Sequence, residues 1–449
     1  MQLNSGFMKK NLTEGGILQN IANFALPYML AYFLQILYGL ADLFIIGQFG
    51  AVKDTTAVSN AAQVMYLITV VIIGLAMGST VLIGRAVGAN DSKRIAHVMG
   101  NALTFFFCLS IVLVFVLLCS RQAIIDLINT PVEAVSGTRD YLTVTFIGIP
   151  FIVAYNVIAS FFRGLGDSRS PMYFVAIACL VNIVLDYLFI GALGLGPMGA
   201  ALGTTLSQMT SVLIAVLVFF RNRKQLDISA SDFRVDHSTL MNILKIGLPI
   251  GLQDGLIQVG FIAITVIANM RGLDDAAAVG IVEKFIGLLF IIPSAMLSTV
   301  SVISSQNIGA GKRERAVKTL RYAIAITFSF GMVWSILLQF YPAVPVSFFT
   351  SDSHVILLGS EYLKSYVWDC ALAGIHFCFS GYFTACGLSI LSFAHNMLSL
   401  VLVRLPFSYL LSVHYPDTLY PMGWASPMGS MLSIVICVIA YRILAKREG

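Results

Sequence analysis

Charge is scarce in this chain. Asp, Glu, Lys and Arg together supply 11% of its 449 residues, against roughly 25% in an ordinary soluble domain. A water-soluble fold, polar on all sides, is excluded by that shortage. Catalytic signatures are missing too. The run Gly309-Ala310-Gly311-Lys312 lacks the spacing of a phosphate-cradling loop. No His/Cys cluster has metal-ligand spacing, and no nucleophile stands in a pattern with a base, so neither an enzyme nor a resident cofactor or metal is expected. The seven cysteines (Cys108, Cys119, Cys179, Cys370, Cys378, Cys386 and Cys437) lie in or beside apolar runs and read as small packing residues.

What is abundant is hydrophobicity, at 58% of residues. Apolar runs of about 20 residues or more recur along the chain, long enough to cross a hydrocarbon layer about 30 Å thick. The expected fold is therefore an all-α polytopic membrane protein. About twelve spans are read: 17–46, 57–86, 95–119, 139–163, 171–193, 199–220, 242–268, 277–305, 316–340, 361–386, 389–413 and 424–445. The first, second, seventh and eighth exceed the needed length, which implies tilt, bending or protrusion. The first run is too long for a signal peptide, lacks a small-residue cleavage site and carries Asp42.

Basic residues crowd the loops on one side: Lys9 and Lys10, Arg85 to Arg94, Arg163 and Arg169, 221–245, 312–321 and 442–447. The opposite loops keep only Lys53, Arg121, Arg139, Arg271 and Lys364. By the positive-inside rule both termini are cytoplasmic. The net charge of +5 thus reflects topology, and nucleic-acid binding has no support.

The chain also repeats itself at an offset of about 221 residues. Leu26-Pro27 is answered by Leu248-Pro249, and the stretch ending Gly88-Ala89-Asn90 by the one ending Gly309-Ala310-Gly311. Further on, Gly164-Leu165-Gly166 is answered by Ala385-Cys386-Gly387, and Pro197-Met198-Gly199 by Pro421-Met422-Gly423. Two pseudo-symmetric six-helix bundles follow, 1–220 and 242–449, joined by a polar cytoplasmic linker, 221–241. With six spans each, they are parallel repeats. The long spans 1, 2, 7 and 8 are expected to line a central cavity.

Against this apolar background a few polar residues stand out. An acid in the hydrocarbon region costs at least about 2.5–3.5 kcal/mol and usually faces a partner or a cavity. Counted from the span ends, Asp42, Asp186 and Thr204 lie at one depth near the outer surface. Gln35, Tyr38 and Asp42 share a helix face, as do Asn182 with Asp186 and Thr204 with Gln208. Two ionised carboxylates in one dry place repel, so a proton or a Na⁺ is their natural companion. Hydrogen-bond glue between helices is the simpler alternative, but it seldom needs two acids. The second half has different acids: Asp254, on one face with Gln258, Asp369 on one face with Tyr366, and Glu283 beside Lys284. Arg404 is placed to neutralise one of them. Pro27, Pro150, Pro249 and Pro293 lie inside spans, where each favours a kink. Pro27 is the best placed to couple a bend to Asp42.

On these residues the chain resembles the multidrug and toxic compound extrusion (MATE) family over nearly its full length. The combination carries the likeness: two six-span halves, Pro27 with Asp42, the turns at Gly88-Ala89-Asn90-Asp91 and Gly309-Ala310-Gly311, Arg163-Gly164-Leu165-Gly166-Asp167, and Asn182-x-x-x-Asp186. The DinF-like branch of that family implies a cation or proton site at Asp42, Asn182, Asp186 and Thr204 with Tyr38 beside them, and a hinge at Pro27. In the NorM-like branch the ion site lies among acids of spans 7 and 10, where this chain has Asp254 and Asp369. The implied activity is antiport in the bacterial inner membrane. A monomer would export amphipathic or cationic compounds in exchange for H⁺ or Na⁺, the proton favoured, with Gln35, Gln208 and Gln258 as cavity-lining residues. The competing readings are a flippase for a lipid-linked sugar, disfavoured by the mostly acidic in-span charges, and a non-transporting membrane scaffold or sensor.

Overall fold

A computed structural model describes residues 11–222 and 229–448, with only the backbone at 222, 447 and 448. Lys9 and Lys10, and residues 223–228 of the expected linker with Arg223 and Lys224, lie outside the described residues. Every regular element among the described residues is helical. The first half contains α1 (Ile17–Phe49), α2 (Val52–Gly88), α3 (Ser92–Leu127), α4 (Val132–Ile147), α5 (Ile149–Gly164), α6 (Arg169–Asp186) and α7 (Gly196–Asn222). The second contains α8 (His237–Asn269), α9 (Leu273–Leu289), α10 (Ile291–Gly309), α11 (Arg313–Phe340), the short α12 (Ala343–Ser347), α13 (Ser353–Tyr366), α14 (Trp368–Ala385), α15 (Ser389–Ser399), α16 (Leu405–His414), the short α17 (Tyr420–Gly423) and α18 (Ala425–Glu448). The α9–α10 pair, 273–309, follows α2 by 221 residues, so the repeat holds at the level of whole elements.

Among the described residues ten stretches of helix are long and apolar enough to cross a membrane, and α4 with α5, bent by 49°, makes an eleventh if the pair is one span. The expected span 361–386 does not qualify. It is built from α13 and α14, which break at Val367 and carry Glu361, Lys364 and Asp369. Its polar residues lower its apolarity below that of the other spans.

The prolines divide into two kinds. Pro27 and Pro249 lie inside continuous helices. Pro150 and Pro293 instead occupy the first turns of α5 and α10, after breaks at Gly148 and Phe290. A first turn needs no proline N–H, so a break just ahead of the ring removes the conflict.

The repeated turns are helix caps of one design. Asn90 (φ 56°) and Gly311 (φ 71°) are left-handed, as are Gly166 (φ 89°) and Gly387 (φ 76°); each pair is 221 residues apart. After each, the next amide reaches back over the last turn: Asp91 to Ala86 O, Lys312 to Asn307 O, Asp167 to Phe162 O and Leu388 to Phe383 O, all at 2.8–2.9 Å. These bonds satisfy carbonyls that a helix end would orphan. In the first half the following acids start the next helix. Asp91 Oδ1 accepts from the Arg94 amide at 3.0 Å, and Asp167 Oδ1 from the Arg169 amide at 2.9 Å.

The chain divides into two compact units. One comprises Met1–Thr13, Asn23–Gly251 and Gly309–Gly311; the other comprises Glu14–Ala22, Leu252–Ile308 and Lys312–Gly449. In the first unit α2 packs on α3, α4, α5 and α7. Its Gly74 and Gly78 meet Gly247 and Gly251 of α8, and a Cβ at any of the four would run into backbone. Glycines four residues apart on both helices permit this approach. Gly164 meets the Thr80 carbonyl in the same way, and the Arg163 guanidinium lies 5.7 Å from the Tyr28 ring centre.

Part of the stretch expected as a linker is strapped to α3. Residues 230–233 form a single 3₁₀ turn. Asn101 Nδ2 donates to Asp232 O at 3.2 Å, Thr104 Oγ1 to Phe233 O at 2.9 Å, and the Asp236 amide to Asn101 Oδ1 at 2.6 Å. His97 adds ring nitrogens 3.8 and 3.6 Å from Asp232 and Asp236. Asp236 then caps α8 by accepting from the Thr239 amide at 2.8 Å. The second unit has its apolar centre around Val279, Val282, Ile286, Leu363, Tyr366 and Cys370, drawn from α9, α13 and α14.

Candidate functional site

Four helices of the first unit bring their rare polar residues to one place. Asp42 comes from α1, Asn182 and Asp186 from the last turns of α6, Thr204 from α7 and Tyr141 from α4. Asn182 and Asp186 are fully buried, and Asp42, Thr204 and Tyr141 nearly so. Thr204 Oγ1 donates to Asp42 Oδ2 at 3.1 Å, and Asn182 Nδ2 donates to Asp186 Oδ1 at 3.5 Å. The Asp42 and Asp186 carboxylates lie close enough for each to feel the other's charge. Tyr38 lies within hydrogen-bonding reach of Thr204 and Gln208.

Local structure explains how two acids come to face each other. Directly after Asp186 the α6 helix widens into a π-helical turn, Tyr187–Ala192, a distortion that recurs at functional sites. Gly203 on α7 leaves room for the carboxylate, since a Cβ there would collide with Asp186 Oδ1. Ser211 Oγ donates to Phe174 O at 3.0 Å and ties α7 to α6 below the site.

The donors present do not satisfy the oxygens. Asp42 Oδ1, Asp186 Oδ2 and Asn182 Oδ1 are buried and accept no hydrogen bond. Buried polar atoms are nearly always paired, and three orphan oxygens in one cluster are the arrangement that a small cation or a shared proton completes. Carboxylate, amide and hydroxyl oxygens are also the hard donors that Na⁺ accepts. Beside the cluster, Gln35, Tyr38, Tyr155, Cys179, Ser207 and Gln208 line a cleft of about 20 Å³, room for about one water molecule. That is too small for an organic solute.

The acids of the second unit are arranged differently. Asp369 is fully buried and paired with Arg404, whose Nη2 lies 3.2 Å from its Oδ2. Ser430 donates to the same carboxylate and receives a bond from Arg404 Nη2 at 2.9 Å. His376 Nε2 stands 3.2 Å from Ser430 Oγ, which extends the network to a second buried ring, His395, 5.6 Å from the first. Glu283 shares the neighbours Tyr362 and Tyr366 with Asp369, and its Oε1 is buried without a bond. Asp254 accepts from Gln253 Nε2 at 3.3 Å, and Gln258 is half-buried one turn further along α8. Asp369 therefore has a built-in counter-charge, whereas Asp42 and Asp186 have only each other. Among the described residues no group of three His, Cys, Asp or Glu could hold a metal ion.

Sequence reasoning missed Tyr141, Gly203, His376 and His395. Tyr141 had a readable signal, since Thr138, Tyr141 and Thr145 are a polar i, i+3, i+7 row in an apolar stretch and all three are buried. Gly203 had none, because its role depends on which atom of another helix it faces.

A family model described as MatE matches the chain twice, at residues 27–188 and 249–410, once in each half. Among curated proteins, a probable multidrug resistance protein of Bacillus subtilis, YoeA, is 26% identical over 97% of this chain and 96% of its own. A protein of Shewanella oneidensis described as an FAD transporter is 26% identical over 94% of each. Among solved structures, the outward-facing conformation of a multidrug resistance MATE family transporter of the MOP superfamily superposes with a TM-score of 0.90. It covers 98% of this chain and 99% of its own at 23% identity, a likeness of fold.

Proposed function

The chain belongs to the MatE family, and on that premise we propose that it is a secondary antiporter that exports small amphipathic or cationic compounds in exchange for a cation bound at Asp42 and Asp186. The observation that carries this reading is the buried carboxylate pair in which each acid has one oxygen without a hydrogen bond, beside a third such oxygen on Asn182. Such a pair has two stable conditions. With one proton or one Na⁺ between them the carboxyls draw together; without it they repel. That repulsion acts between α1 and α6, so cation binding biases how the two helices pack.

Asp42, Asn182, Asp186 and Thr204 bind the cation, and Tyr38 holds Thr204 in place. Tyr141 closes the site on the α4 side. In α1, Pro27 removes the hydrogen bond to the carbonyl of residue 23, which makes that turn the least costly place for the helix to bend as the pair changes state. H⁺ is favoured over Na⁺, because a single proton joins two carboxyls directly, while Asn182 and Thr204 keep Na⁺ as the second candidate. The likeness to YoeA, a probable multidrug resistance protein, and to the multidrug export protein MepA of Staphylococcus haemolyticus supports drug export as the activity. The Lys/Arg asymmetry supports a bacterial plasma-membrane protein with both termini cytoplasmic.

The test is efflux of a cationic dye from vesicles under a pH gradient without Na⁺, then under a Na⁺ gradient at equal pH. Transport in the first condition is expected, and Asp42→Asn or Asp186→Asn abolishes it while membrane insertion is retained. Transport in the second condition alone would assign the site to Na⁺. Undiminished efflux by either Asn variant would remove the pair from the mechanism.

A further inference from the structure

A cavity of about 380 Å³ opens in the second unit where α11 begins and α14 and α18 end. Its lining is unlike the rest of the molecule. Arg313, Lys318 and Arg321 supply three cations against the single carboxylate of Glu314, in a chain where charge of any kind is rare. Lys318 and Arg321 are three residues apart and share one face of α11. The opposite wall is Tyr382, 3% exposed, and Tyr441, their rings 6.0 Å apart. Arg313 lies within hydrogen-bonding reach of the Tyr382 hydroxyl, so one guanidinium is already positioned by a buried group.

Neighbouring cations have other uses. Arg315, outside the cavity lining, donates from Nη2 to the carbonyls of Glu14 at 2.9 Å and Gly15 at 2.7 Å, a structural contact. The cavity cations sit instead at the amino end of a 28-residue helix, whose dipole adds to their field. Guanidinium, ammonium and phenol donors around one space suit a phosphate. Val317, Leu444 and Ala445 give the same space an apolar side, which a free inorganic anion would not use but a glycerol ester with its first acyl carbons would. Basic pockets between membrane helices recognise lipid headgroups in this way.

We propose that this cavity, formed by α11, α14 and α18, binds the phosphate headgroup of an anionic phospholipid. It is separate from the acid cluster of the other unit and does not depend on the transport reading.

The full chain, purified in detergent, is titrated with phosphatidylglycerol, with phosphatidylcholine and with inorganic phosphate, and retention is read by native mass spectrometry alongside the unfolding temperature. Phosphatidylglycerol is expected to be retained and to raise the unfolding temperature. The double variant Lys318→Gln, Arg321→Gln should need about tenfold more lipid for the same shift, while Lys93→Gln, Arg94→Gln, in another basic stretch, should behave as the parent. Displacement of phosphatidylglycerol by millimolar inorganic phosphate would identify the phosphate group itself as the ligand, and no displacement would identify the whole lipid headgroup. Equal retention of phosphatidylcholine, or an unchanged titration for the α11 variant, or an equal loss in the control variant, would overturn the site.

Discussion

At the scale of single residues, the candidate ion site depends on a neighbour with no side chain. Gly203 is the point of α7 against which the Asp186 carboxylate rests. Adding one methyl group forces that carboxylate or the helix to shift, and overpacking of this kind costs about 1–3 kcal/mol. Because the displaced atom belongs to a proposed ion ligand, the substitution moves that ligand. Gly203→Ala is expected to lower coupled efflux by about tenfold, the equivalent of 1.4 kcal/mol, with expression and unfolding temperature little changed. Initial efflux rates as a function of driving-ion concentration check this; a rate equal to the parent would show that Asp186 need not occupy its observed place. The same scale separates the acids of the two units. Asp369 carries Arg404 with it, and a buried pair of that kind is strongly destabilised by loss of one partner. Among the described residues no cation is paired with Asp42, so its neutralisation strands no positive charge.

At the scale of elements, the stretch between the halves behaves as a strap. The side chain of Asn101 donates to Asp232 O and accepts from the Asp236 amide, so Asn101→Ala removes both bonds and leaves two backbone groups without their partner. The α8 cap should survive, since Asp236 still accepts from Thr239. The expected result is faster proteolytic cleavage within 229–236, by several-fold, with efflux retained; an unchanged cleavage rate would show that Thr104 and His97 suffice. The cap itself has a pH signature. The hydroxyl and amide of Thr239 hold the Asp236 carboxyl down at about 2, below the usual carboxylate value of about 3.9. Its contribution is therefore fully present above the unfolded value and is lost only as pH falls through about 2, which keeps it constant across physiological pH.

At the scale of the whole molecule, duplication makes each half a control for the other. The left-handed cap position is Asn90 in one copy and Gly311 in the next, with φ of 56° and 71°. Glycine adopts that conformation without the Cβ penalty. Asn90→Gly is therefore expected to leave the unfolding temperature unchanged or raise it slightly, whereas Gly311→Ala should lower stability by about 1 kcal/mol. Thermal unfolding of the two purified variants decides it. A loss on Asn90→Gly would mean that the Asn side chain has a role its repeat partner does not share. The acids of the candidate site do not follow this symmetry. Nothing in the second half stands where Asp42 and Asp186 stand in the first, so duplication supplied two scaffolds and only one received the unpaired acid pair.

Much of this was legible in the residues because membrane insertion imposes strong, local rules. Apolar runs of sufficient length, the Lys/Arg asymmetry and the 221-residue echo define an all-helical, twofold-repeated membrane chain without any knowledge of packing. Helical periodicity also placed Asp42, Asp186 and Thr204 at one depth, since depth is only a count of residues from a span's end. What the count could not decide is the rotation of each helix about its axis and which helices are neighbours. Those follow from close approaches such as Gly74 and Gly78 against Gly247 and Gly251, and from breaks such as the π-helical turn after Asp186. Only the tertiary structure therefore decided that Asp42 and Asp186 face each other while Asp369 faces Arg404. An acid's role is set by the charges packed against it, and those come from distant parts of the chain.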